Sequence, residues 1–548
     1  MRYLPVFSII LFTFFSSCQQ KSPVERAQQT IGVEDMKTYV QELGSDRFRG
    51  RKPFTSGEDS TLKYLKNQFK RIGLQPANEA SYFQEVPMVE VAVKAQEKME
   101  FQTPEGTVRL HYKKDYVAFS RRLTDEIDLR NSDLVFAGYG IVAPEYNWND
   151  YEGIDVEGKT VVVFVNDPGY GKEDAEFFNG NAMTYYGRWT YKYEEAARQG
   201  AEGLIIIHET GPAGYPWSVV LNGAVIPKLY LKPGDAYRSR CALEGWFTYE
   251  AAEKLISKLG YDLDELKELA GKPGFQAVDL NTALSFSMTS KHRFATSKNV
   301  LGYIPGKERP GEVLVYSAHW DHLGVDPTLE GDSIYNGAVD NGTSLAWMME
   351  IAEAFASLDE PVKRSVLFFA PTAEEQGLLG SMYYAQHPVF PLKKTVANIN
   401  NDLMLPYGRY KDVMITGYGQ SELEDIVAEV AEKHDRYIYP DPNPQTGMYY
   451  RSDHFSFAKH GVPALFARGN CDSREHGKKW ALKKEQFWLE NRYHKPEDEY
   501  NPDTWDLSGV RDDARLLFEV GYEIANDTVF PRWKEGSEFK DIRMKMMQ

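Results

Sequence analysis

From Thr296 onward the sequence alternates between short apolar stretches and amphipathic helical patterns, and this alternation restricts the fold more than any other feature. Residues 343–357 show apolar side chains at the spacing of one helix face. Apolar stretches typical of buried strands run over Val313–Ala318, Val366–Ala370, Val396–Asn400 and Val462–Ala467. Strands that alternate with helices predict an α/β sandwich with a largely parallel central sheet.

Most of the acidic and histidine side chains of interest follow these apolar stretches closely: His319, Asp321, Glu374, Glu375 and Asp402. Asp340 lies just before the helical pattern 343–357, and His494 lies farther along the chain. Because open α/β sheets bind ligands beyond the carboxyl ends of their strands, we expect these side chains to meet at one edge of the sheet. Each cluster alone fits ordinary surface or turn chemistry, but their joint occurrence within residues 319–494 favours a functional site.

Cysteine usage narrows the chemistry of such a site. The chain has three cysteines, and Cys241 and Cys471 lie far apart in different predicted domains. That arrangement forms neither a disulfide framework nor a thiolate zinc site. If a metal is bound, its ligands must be histidine, aspartate and glutamate.

The charge balance excludes one class of partner. Asp and Glu outnumber Lys and Arg by 80 to 63, which gives a formal net charge of −17. A surface field of that sign repels phosphate backbones, so nucleic acid is not an expected partner.

Together these motifs resemble the M28 family of zinc peptidases, which contains bacterial leucyl aminopeptidases and glutamate carboxypeptidase. The resemblance spans about residues 34–125 and 290–525. It implies a zinc-peptidase fold of the phosphorylase/hydrolase-like type, an α/β/α sandwich with a mixed, largely parallel central sheet. It is carried by the ordered set His319-x-Asp321, Asp340-Asn341-Gly342, Glu374-Glu375, Asn401-Asp402 and Tyr493-His494.

The same resemblance implies a metal-binding role for five positions. Asp340 would bridge two zinc ions, Glu375 and His494 would complete the protein ligands of one ion, and His319 and Asp402 those of the other. Three protein ligands per ion leave room for a water, as catalytic zinc requires.

Two further carboxylates would support the chemistry. Asp321 would accept the distal N–H of His319 and fix the tautomer of that ring. Glu374 would be the general base, taking a proton from the bridging water and delivering it to the leaving amine, so that a metal-bridged hydroxide attacks the peptide.

Several neighbouring side chains are candidates for substrate contacts. Tyr493 or Tyr450 could donate to the tetrahedral oxyanion, and Arg451 could meet a substrate carboxylate. His322 and His454 are interpreted as structural histidines.

The N-terminus has the pattern of an export signal. Residues 1–18 begin with Met1-Arg2, continue through an apolar stretch and end at Cys18 after two small residues. This resembles the lipobox of bacterial lipoproteins and predicts a lipid on Cys18 that attaches the protein to the bacterial cell envelope. The predicted location is the outer membrane, facing the periplasm or the cell surface; secretion after ordinary cleavage is the alternative. Residues 19–33 are interpreted as a tether.

The remaining chain divides into four predicted regions. Residues 34–128 would be the N-terminal part of the peptidase domain and 291–530 the catalytic zinc peptidase domain, followed by a tail over 531–548. The β-rich region 129–290 resembles the protease-associated domain that is inserted in several secreted peptidases.

The predicted function is that of an exported, membrane-anchored dizinc exopeptidase, an aminopeptidase acting on peptide substrates. A carboxypeptidase or dipeptidase on the same site is the alternative. A glutaminyl cyclase would use one zinc, and a receptor-like protein without catalysis would be expected to lose ligands, whereas this chain keeps the whole set. The preferred side chain and the oligomeric state have no sequence signal.

Overall fold

The computed structural model describes residues 21–548. The predicted signal segment and Cys18 lie outside the described residues. Its α-helices are α1 Pro23–Gln28, α2 Val33–Leu43, α3 Ser56–Ile72, α4 Trp189–Arg198, α5 Thr210–Ala213, α6 Trp217–Val225, α7 Tyr249–Lys258, α8 Leu263–Ala270, α9 Ser344–Ala356, α10 Leu379–Gln386, α11 Leu423–Lys433, α12 His454–Lys459, α13 Lys478–Asn491, α14 Ser508–Asn526 and α15 Lys540–Met547.

The strands fall mainly in two groups, one on each side of residue 290. They are β1 Gln75–Pro76, β2 Phe83–Ala95, β3 Lys98–Thr103, β4 Gly106–His111, β5 Tyr116–Phe119, β6 Glu126–Phe136, β7 Val142–Ala143, β8 Trp148–Asn149, β9 Thr160–Phe164, β10 Gly203–His208, β11 Lys228–Leu231, β12 Leu243–Thr248, β13 Val278–Ile304, β14 Arg309–Ser317, β15 Gly324–Val325, β16 Ile334–Tyr335, β17 Arg364–Ala370, β18 Thr395–Asn400, β19 Asp412–Ile415, β20 Tyr437–Pro440 and β21 Ala464–Arg468.

One 15-stranded sheet passes through two units, named here after the predicted regions: the insert (129–290) and the peptidase unit (34–128 and 291–530). Its order is β20-β19-β21-β18-β14-β17-β13-β6-β9-β10-β12-β5, with β1, β2 and β11 attached beside β13 and β2. In the peptidase unit β21, β18, β14 and β17 are mutually parallel, while β13 is antiparallel to β17. The prediction of an α/β fold with a mixed, largely parallel sheet is confirmed.

The strand β13 joins the two units. Its 27 residues pair with β17 over Val300–Ile304 and with β6 over Val278–Thr289. The predicted boundary between residues 290 and 291 therefore falls inside a continuous strand.

The peptidase sheet is buried on both faces. On one face Tyr316 and Phe368 pack with Trp347 of α9 and Phe518 of α14 in the largest apolar cluster. On the other face Val315 and other strand residues pack against α10 and α12. Because neither face meets water, the strands are apolar without interruption, which is the pattern seen in the sequence.

Predicted elements in this region are observed with small shifts at their ends. The four predicted strands correspond to β14, β17, β18 and β21, and the predicted helix 343–357 is α9. Helices α2 and α3 form a pair near the start of the described chain, and Gly73 ends α3 with a φ of 93°, in the left-handed region that favours glycine.

The N-terminal region and the insert differ from the predicted layout. Helix α1 lies within the predicted tether 19–33, and Ala27 and Ile31 are buried in the peptidase core. Strands β3 to β5 pack with the insert, since β5 pairs with β12 and Phe101 and Tyr116 share its core. Both differences depend on tertiary contacts that local composition does not encode.

Among residues 21–548, no helix is both long and apolar enough to cross a bilayer. The predicted membrane attachment rests on Cys18 alone.

Candidate metal centre

Three neighbouring parallel strands deliver most of the predicted site. His319 comes two residues after β14 ends, Glu374 and Glu375 follow β17, and Asp402 follows β18. Because β17, β14 and β18 are adjacent and parallel, their carboxyl ends meet at one edge of the sheet. Asp340 joins them from the helical turn Ala338–Thr343 that precedes α9.

The side chains form two groups with metal-ligand geometry. One group contains His319, Glu374 and Asp402, and the other contains His322, Asp340 and Glu375. Within each group the candidate ligand atoms lie within 4.8 Å of one another.

Asp340 lies between His319 and His494 and turns one oxygen to each. Its Oδ1 is 3.4 Å from His319 Nε2, and its Oδ2 is 3.4 Å from His494 Nε2. His319 Nε2 is also 3.4 Å from Asp402 Oδ1, and His494 Nε2 is 3.0 Å from Glu375 Oε2. The structure therefore brings all five predicted metal ligands into one cluster.

The cluster opens toward solvent on the side of His494. The side chain of His494 is 36% exposed, whereas those of Asp340 and Glu375 are 4% exposed. His319 is almost completely buried on the opposite side.

Asp321 contacts this cluster in a different way from the one expected. His319 Nδ1 lies 3.1 Å from the backbone carbonyl of Asp321 and 3.8 Å from its carboxylate oxygen Oδ1. That oxygen accepts the backbone N–H of Glu374 at 3.0 Å. The residue still orients His319, but through its carbonyl, because its carboxylate positions the loop that carries Glu374.

Glu374 lies beside the group formed by His319 and Asp402. Its Oε2 is 3.9 Å from His319 Nε2 and the side chain is buried. Burial raises the pKa of Glu374 well above its usual value, and the nearby charge of Asp402 adds to this. A glutamate in this position can accept a proton more readily than one at the surface.

Two supporting residues were not predicted. The carboxylate of Asp498 accepts the backbone N–H groups of Val339 and Asp340 at 3.0 Å each. The buried guanidinium of Arg51 donates to several carbonyls, including those of Gly337 at 2.8 Å and Trp320 at 2.9 Å. Neither residue has a local sequence signal, because their partners are far away along the chain.

His322 is a further residue whose place differs from the expectation. Its Nδ1 is 2.7 Å from Glu375 Oε1, and its Nε2 is buried without a hydrogen-bond partner. Its position three residues after His319 was visible in the sequence, but nothing there separated it from a structural histidine. His454 is buried with no partner for either ring nitrogen and packs against Tyr449, as the structural interpretation predicted.

The electrostatics of the cluster fit a divalent cation. Burial alone would lower the pKa of His319, but the charges of Glu374 and Asp402 raise it well above its usual value. For Asp340 the hydrogen bonds from His319 and His494 outweigh burial and hold the pKa well below its usual range. A bound metal ion can replace the protons that otherwise balance these carboxylates, and imidazole with carboxylate oxygen is a donor set suited to zinc.

The predicted substrate contacts separate into different places. Tyr493 stacks on the ring of His494 with 3.9 Å between centroids. Tyr450 instead lies with its hydroxyl 2.9 Å from Glu538 Oε1 and 3.1 Å from the carbonyl of Met183, so it belongs to the junction between the two units. The expectation that Tyr450 could serve the oxyanion is not supported, because its hydroxyl already has these partners.

Arg451 also lies at that junction. It donates from Nη2 to the carbonyl of Thr446 at 2.6 Å and lies 3.4 Å from that of Ala213 in the insert. The next residue, Ser452, donates from Oγ to Asp402 Oδ2 at 2.9 Å. Arg451 is therefore one residue away from a side chain that orients a predicted metal ligand.

A family profile and two curated relatives match part of the chain. The sequence profile of Peptidase family M28 matches residues 299–516. Aminopeptidase YwaD of Bacillus subtilis (strain 168) is 34% identical over 111 residues, 20% of this chain and 22% of that protein. The Glutamate carboxypeptidase 2 homolog of Caenorhabditis elegans is 24% identical over 319 residues, 50% of this chain and 37% of that protein. The chain thus spans well under two thirds of these relatives.

A solved structure shares the fold over a longer range. The aminopeptidase from Aneurinibacillus sp. strain AM-1 superposes with a TM-score of 0.50, covering 92% of this chain and 97% of that one at 18% sequence identity. At this level of identity the likeness concerns the fold alone.

Proposed function

We propose that this protein is a dizinc exopeptidase, specifically an aminopeptidase that removes N-terminal residues from peptides. The match of residues 299–516 to the sequence profile of Peptidase family M28 supports the peptidase class. One observation carries the proposal. The carboxylate of Asp340 directs Oδ1 toward His319 and Oδ2 toward His494, as a carboxylate shared by two metal ions must.

The residues of the cluster have distinct tasks in peptide hydrolysis. His319 and Asp402 would hold one zinc ion, Glu375 and His494 the other, and Asp340 both. Zinc bound there would polarise the scissile carbonyl and lower the pKa of a coordinated water.

Proton transfer falls to Glu374. Its buried carboxylate would take a proton from the attacking water and deliver it to the nitrogen of the leaving amine. Asp321 holds the backbone N–H of Glu374, and so keeps the base at a fixed distance from His319.

Tyr493 is the remaining candidate donor to the oxyanion. Its ring stacks on His494, and burial together with the carboxylate of Asp340 raises the pKa of its hydroxyl well above the usual value. The hydroxyl therefore stays protonated and able to donate at physiological pH.

The direction of cleavage is supported by the name of one relative. YwaD is described as an aminopeptidase. The alternative, a carboxypeptidase or dipeptidase, is supported by the position of Arg451 next to the site and by the carboxypeptidase homolog. A glutaminyl cyclase or a receptor without catalysis would not need the ligands of both predicted zinc ions.

The deciding experiment combines a variant with blocked substrates. We expect Glu374→Gln to retain two zinc ions per chain while hydrolysis falls by roughly 10²–10⁴-fold, the usual contribution of a general base. Glu330→Gln, at an exposed glutamate, is the matched control and should behave as the unmodified protein. Metal content by mass spectrometry and peptide turnover are the measurements.

Substrate blocking tests the direction of cleavage separately. An aminopeptidase should lose turnover on N-acetylated peptides and keep it on C-terminally amidated ones, and the reverse pattern would establish the carboxypeptidase. Full activity of Glu374→Gln would contradict the assignment of the base.

We also propose that the protein is exported and anchored in the bacterial cell envelope through a lipid on Cys18. The support is the signal-like pattern of residues 1–18. Metabolic labelling with palmitate should mark the unmodified protein and not Cys18→Ser; equal labelling of both would exclude this anchor.

A further inference from the structure

Two arginines at the junction of the units have no acidic partner. Arg188 directly precedes helix α4 of the insert, and Arg451 follows the turn Met448–Tyr450 of the peptidase unit. Within residues 21–548 no carboxylate contacts either guanidinium. This is notable in a chain where acidic residues outnumber basic ones by 80 to 63.

Both guanidiniums are incompletely satisfied. The Nε atoms of Arg188 and of Arg451 are buried and have no hydrogen-bond partner. Burial, followed by the positive charge of the neighbouring Arg451, lowers the pKa of Arg188 to about 10. Two neighbouring cations with buried donors are unfavourable unless an anion joins them.

Contacts with the protein hold Arg451 in place. Besides its bonds to the carbonyls of Thr446 and Ala213, its guanidinium carbon lies 5.4 Å from the ring centroid of Tyr215. Tyr215 is also close enough to Arg188 to affect the pKa of its guanidinium, so one ring from the insert lies near both arginines. A fixed guanidinium loses little rotamer entropy when it binds a ligand.

The pair is close to the metal centre. Ser452, adjacent to Arg451, contacts Asp402, and Tyr493, which stacks on His494, is an electrostatic neighbour of Arg451. A peptide bound at the cluster could therefore extend toward both arginines.

We propose that Arg188 and Arg451 together bind a carboxylate of the substrate, either the C-terminal carboxylate of a short peptide or an acidic side chain. The planar guanidinium matches a carboxylate in two-point geometry, which makes arginine the usual choice for this group. The inference rests on the proposed peptidase function and adds a substrate class to it: short or acidic peptides that carry a free carboxylate beyond the scissile bond.

The first test compares Arg188→Gln and Arg451→Gln with the unmodified full-length zinc-loaded protein. We expect kcat/KM for Leu-Ala and Leu-Ala-Ala to fall by roughly tenfold or more in each variant, mainly through KM, since a charge-assisted hydrogen bond of this kind is lost. On the corresponding peptide amides the variants should equal the unmodified protein. Equal losses on acids and amides would overturn the proposal, and so would the absence of any loss both on these free acids and on an acidic peptide amide such as Leu-Glu-amide.

Matched controls separate a local effect from loss of charge or folding. Arg130→Gln and Arg532→Gln remove exposed arginines of the insert and of the peptidase unit, and should leave all substrates unchanged. Within residues 21–548 the side chain of Arg188 makes no hydrogen bond, so Arg188→Gln breaks none, whereas Arg451→Gln loses the bonds to Thr446 and Ala213. Arg188→Gln therefore decides the outcome if Arg451→Gln folds poorly in thermal melting.

A second pair of substrates identifies the source of the carboxylate. If the arginines bind an acidic side chain, Leu-Glu-amide should lose turnover in Arg188→Gln while Leu-Gln-amide does not. If they bind the C-terminal carboxylate, both amides should be turned over equally by the variant and the unmodified protein, and only free acids should lose turnover.

A binding measurement keeps this inference independent of catalysis. Calorimetry in the zinc-loaded Glu374→Gln protein should show that Leu-Ala binds at least tenfold more tightly than Leu-Ala-amide, and that adding Arg188→Gln removes this difference. If the unmodified protein hydrolyses no peptide but this preference is present, the peptidase proposal fails while the carboxylate site stands. Equal binding of Leu-Ala and Leu-Ala-amide, together with equal binding of Leu-Glu-amide and Leu-Gln-amide, would overturn the site whatever the activity.

Discussion

His322 orients the predicted metal ligand Glu375 through a hydrogen bond to its carboxylate. Its Nδ1–H donates to Glu375 Oε1 at 2.7 Å, which leaves Oε2 directed to His494. A carboxylate oriented by such a bond presents one oxygen to a metal, and loss of supporting residues of this kind weakens metal binding by roughly 10–100-fold.

We therefore expect His322→Ala to weaken zinc binding at one of the two positions by that factor, while His322→Asn recovers part of it through its amide. Titration of the metal against a chelating competitor is the measurement, with the exposed His387→Ala as control. Two unchanged affinities in His322→Ala would show that Glu375 needs no such support.

Glu350, which lies outside the candidate metal centre, makes the free energy of unfolding of the protein depend on pH. It is buried in α9, its Oε2 accepts the backbone N–H of Gly32 at 2.7 Å, and its Oε1 has no partner. Burial raises the pKa of Glu350 from 4.5 to about 8. Between these two values the unfolded chain has lost the proton that the folded chain keeps, so the free energy of unfolding falls as pH rises, by at most about 1.4 kcal/mol per pH unit.

Glu350→Gln should remove this part of the slope and be more stable than the unmodified protein near pH 8, with little difference below pH 4.5. Urea unfolding at several pH values compares it with the exposed Glu432→Gln. If the free energies of unfolding of Glu350→Gln and of the unmodified protein change with pH in parallel, Glu350 does not keep a proton in the folded state.

At the scale of elements, the turn Ala338–Thr343 depends on a residue more than 150 positions away. Asp498 accepts the N–H groups of Val339 and Asp340, and its own carbonyl accepts that of Ala338 at 3.0 Å. Without the carboxylate, two buried N–H groups lose their acceptor, and each such loss costs about 1–3 kcal/mol.

Asp498→Ala should therefore lower the melting temperature and reduce zinc affinity together, because Asp340 is carried by this turn. Asp503→Ala, at a nearby exposed aspartate, should change neither. A stable Asp498→Ala protein with normal zinc content would show that the turn holds itself.

Sequence reasoning was most successful for elements defined by local periodicity. Uninterrupted apolar runs form the strands β14, β17, β18 and β21, and the site residues come directly after three of them. The fold class and the clustering of His319, Asp402 and both glutamates at one edge of the sheet could therefore be predicted from the sequence. The orientation of Asp321, the partners of Tyr450 and the roles of Arg51 and Asp498 were not, because each is decided by a contact between distant segments.

At the scale of the whole molecule, the candidate metal centre concentrates acidic side chains. Five of them lie together with their side chains almost completely buried: Asp321, Asp340, Glu374, Glu375 and Asp402. Ligands that bind only the folded state stabilise it by mass action, and zinc would in addition neutralise these carboxylates.

Removal of zinc by a chelator should lower the melting temperature, and re-addition should restore it in proportion to free zinc concentration. Differential scanning calorimetry of the full chain gives the measurement. A melting temperature independent of zinc would argue that this cluster does not bind the metal in the folded protein.

The strand β13 has a mechanical consequence. Units joined by a loop can swing apart, as flexible linkers between domains usually allow. Here backbone hydrogen bonds run along one strand from β6 to β17, so a hinge motion between the two units would require this strand to bend or to lose its pairing. The spacing between the two units is then fixed by the sheet itself, and we expect the protein, under the proposed peptidase function, to cleave extended peptide ends and to leave folded proteins intact.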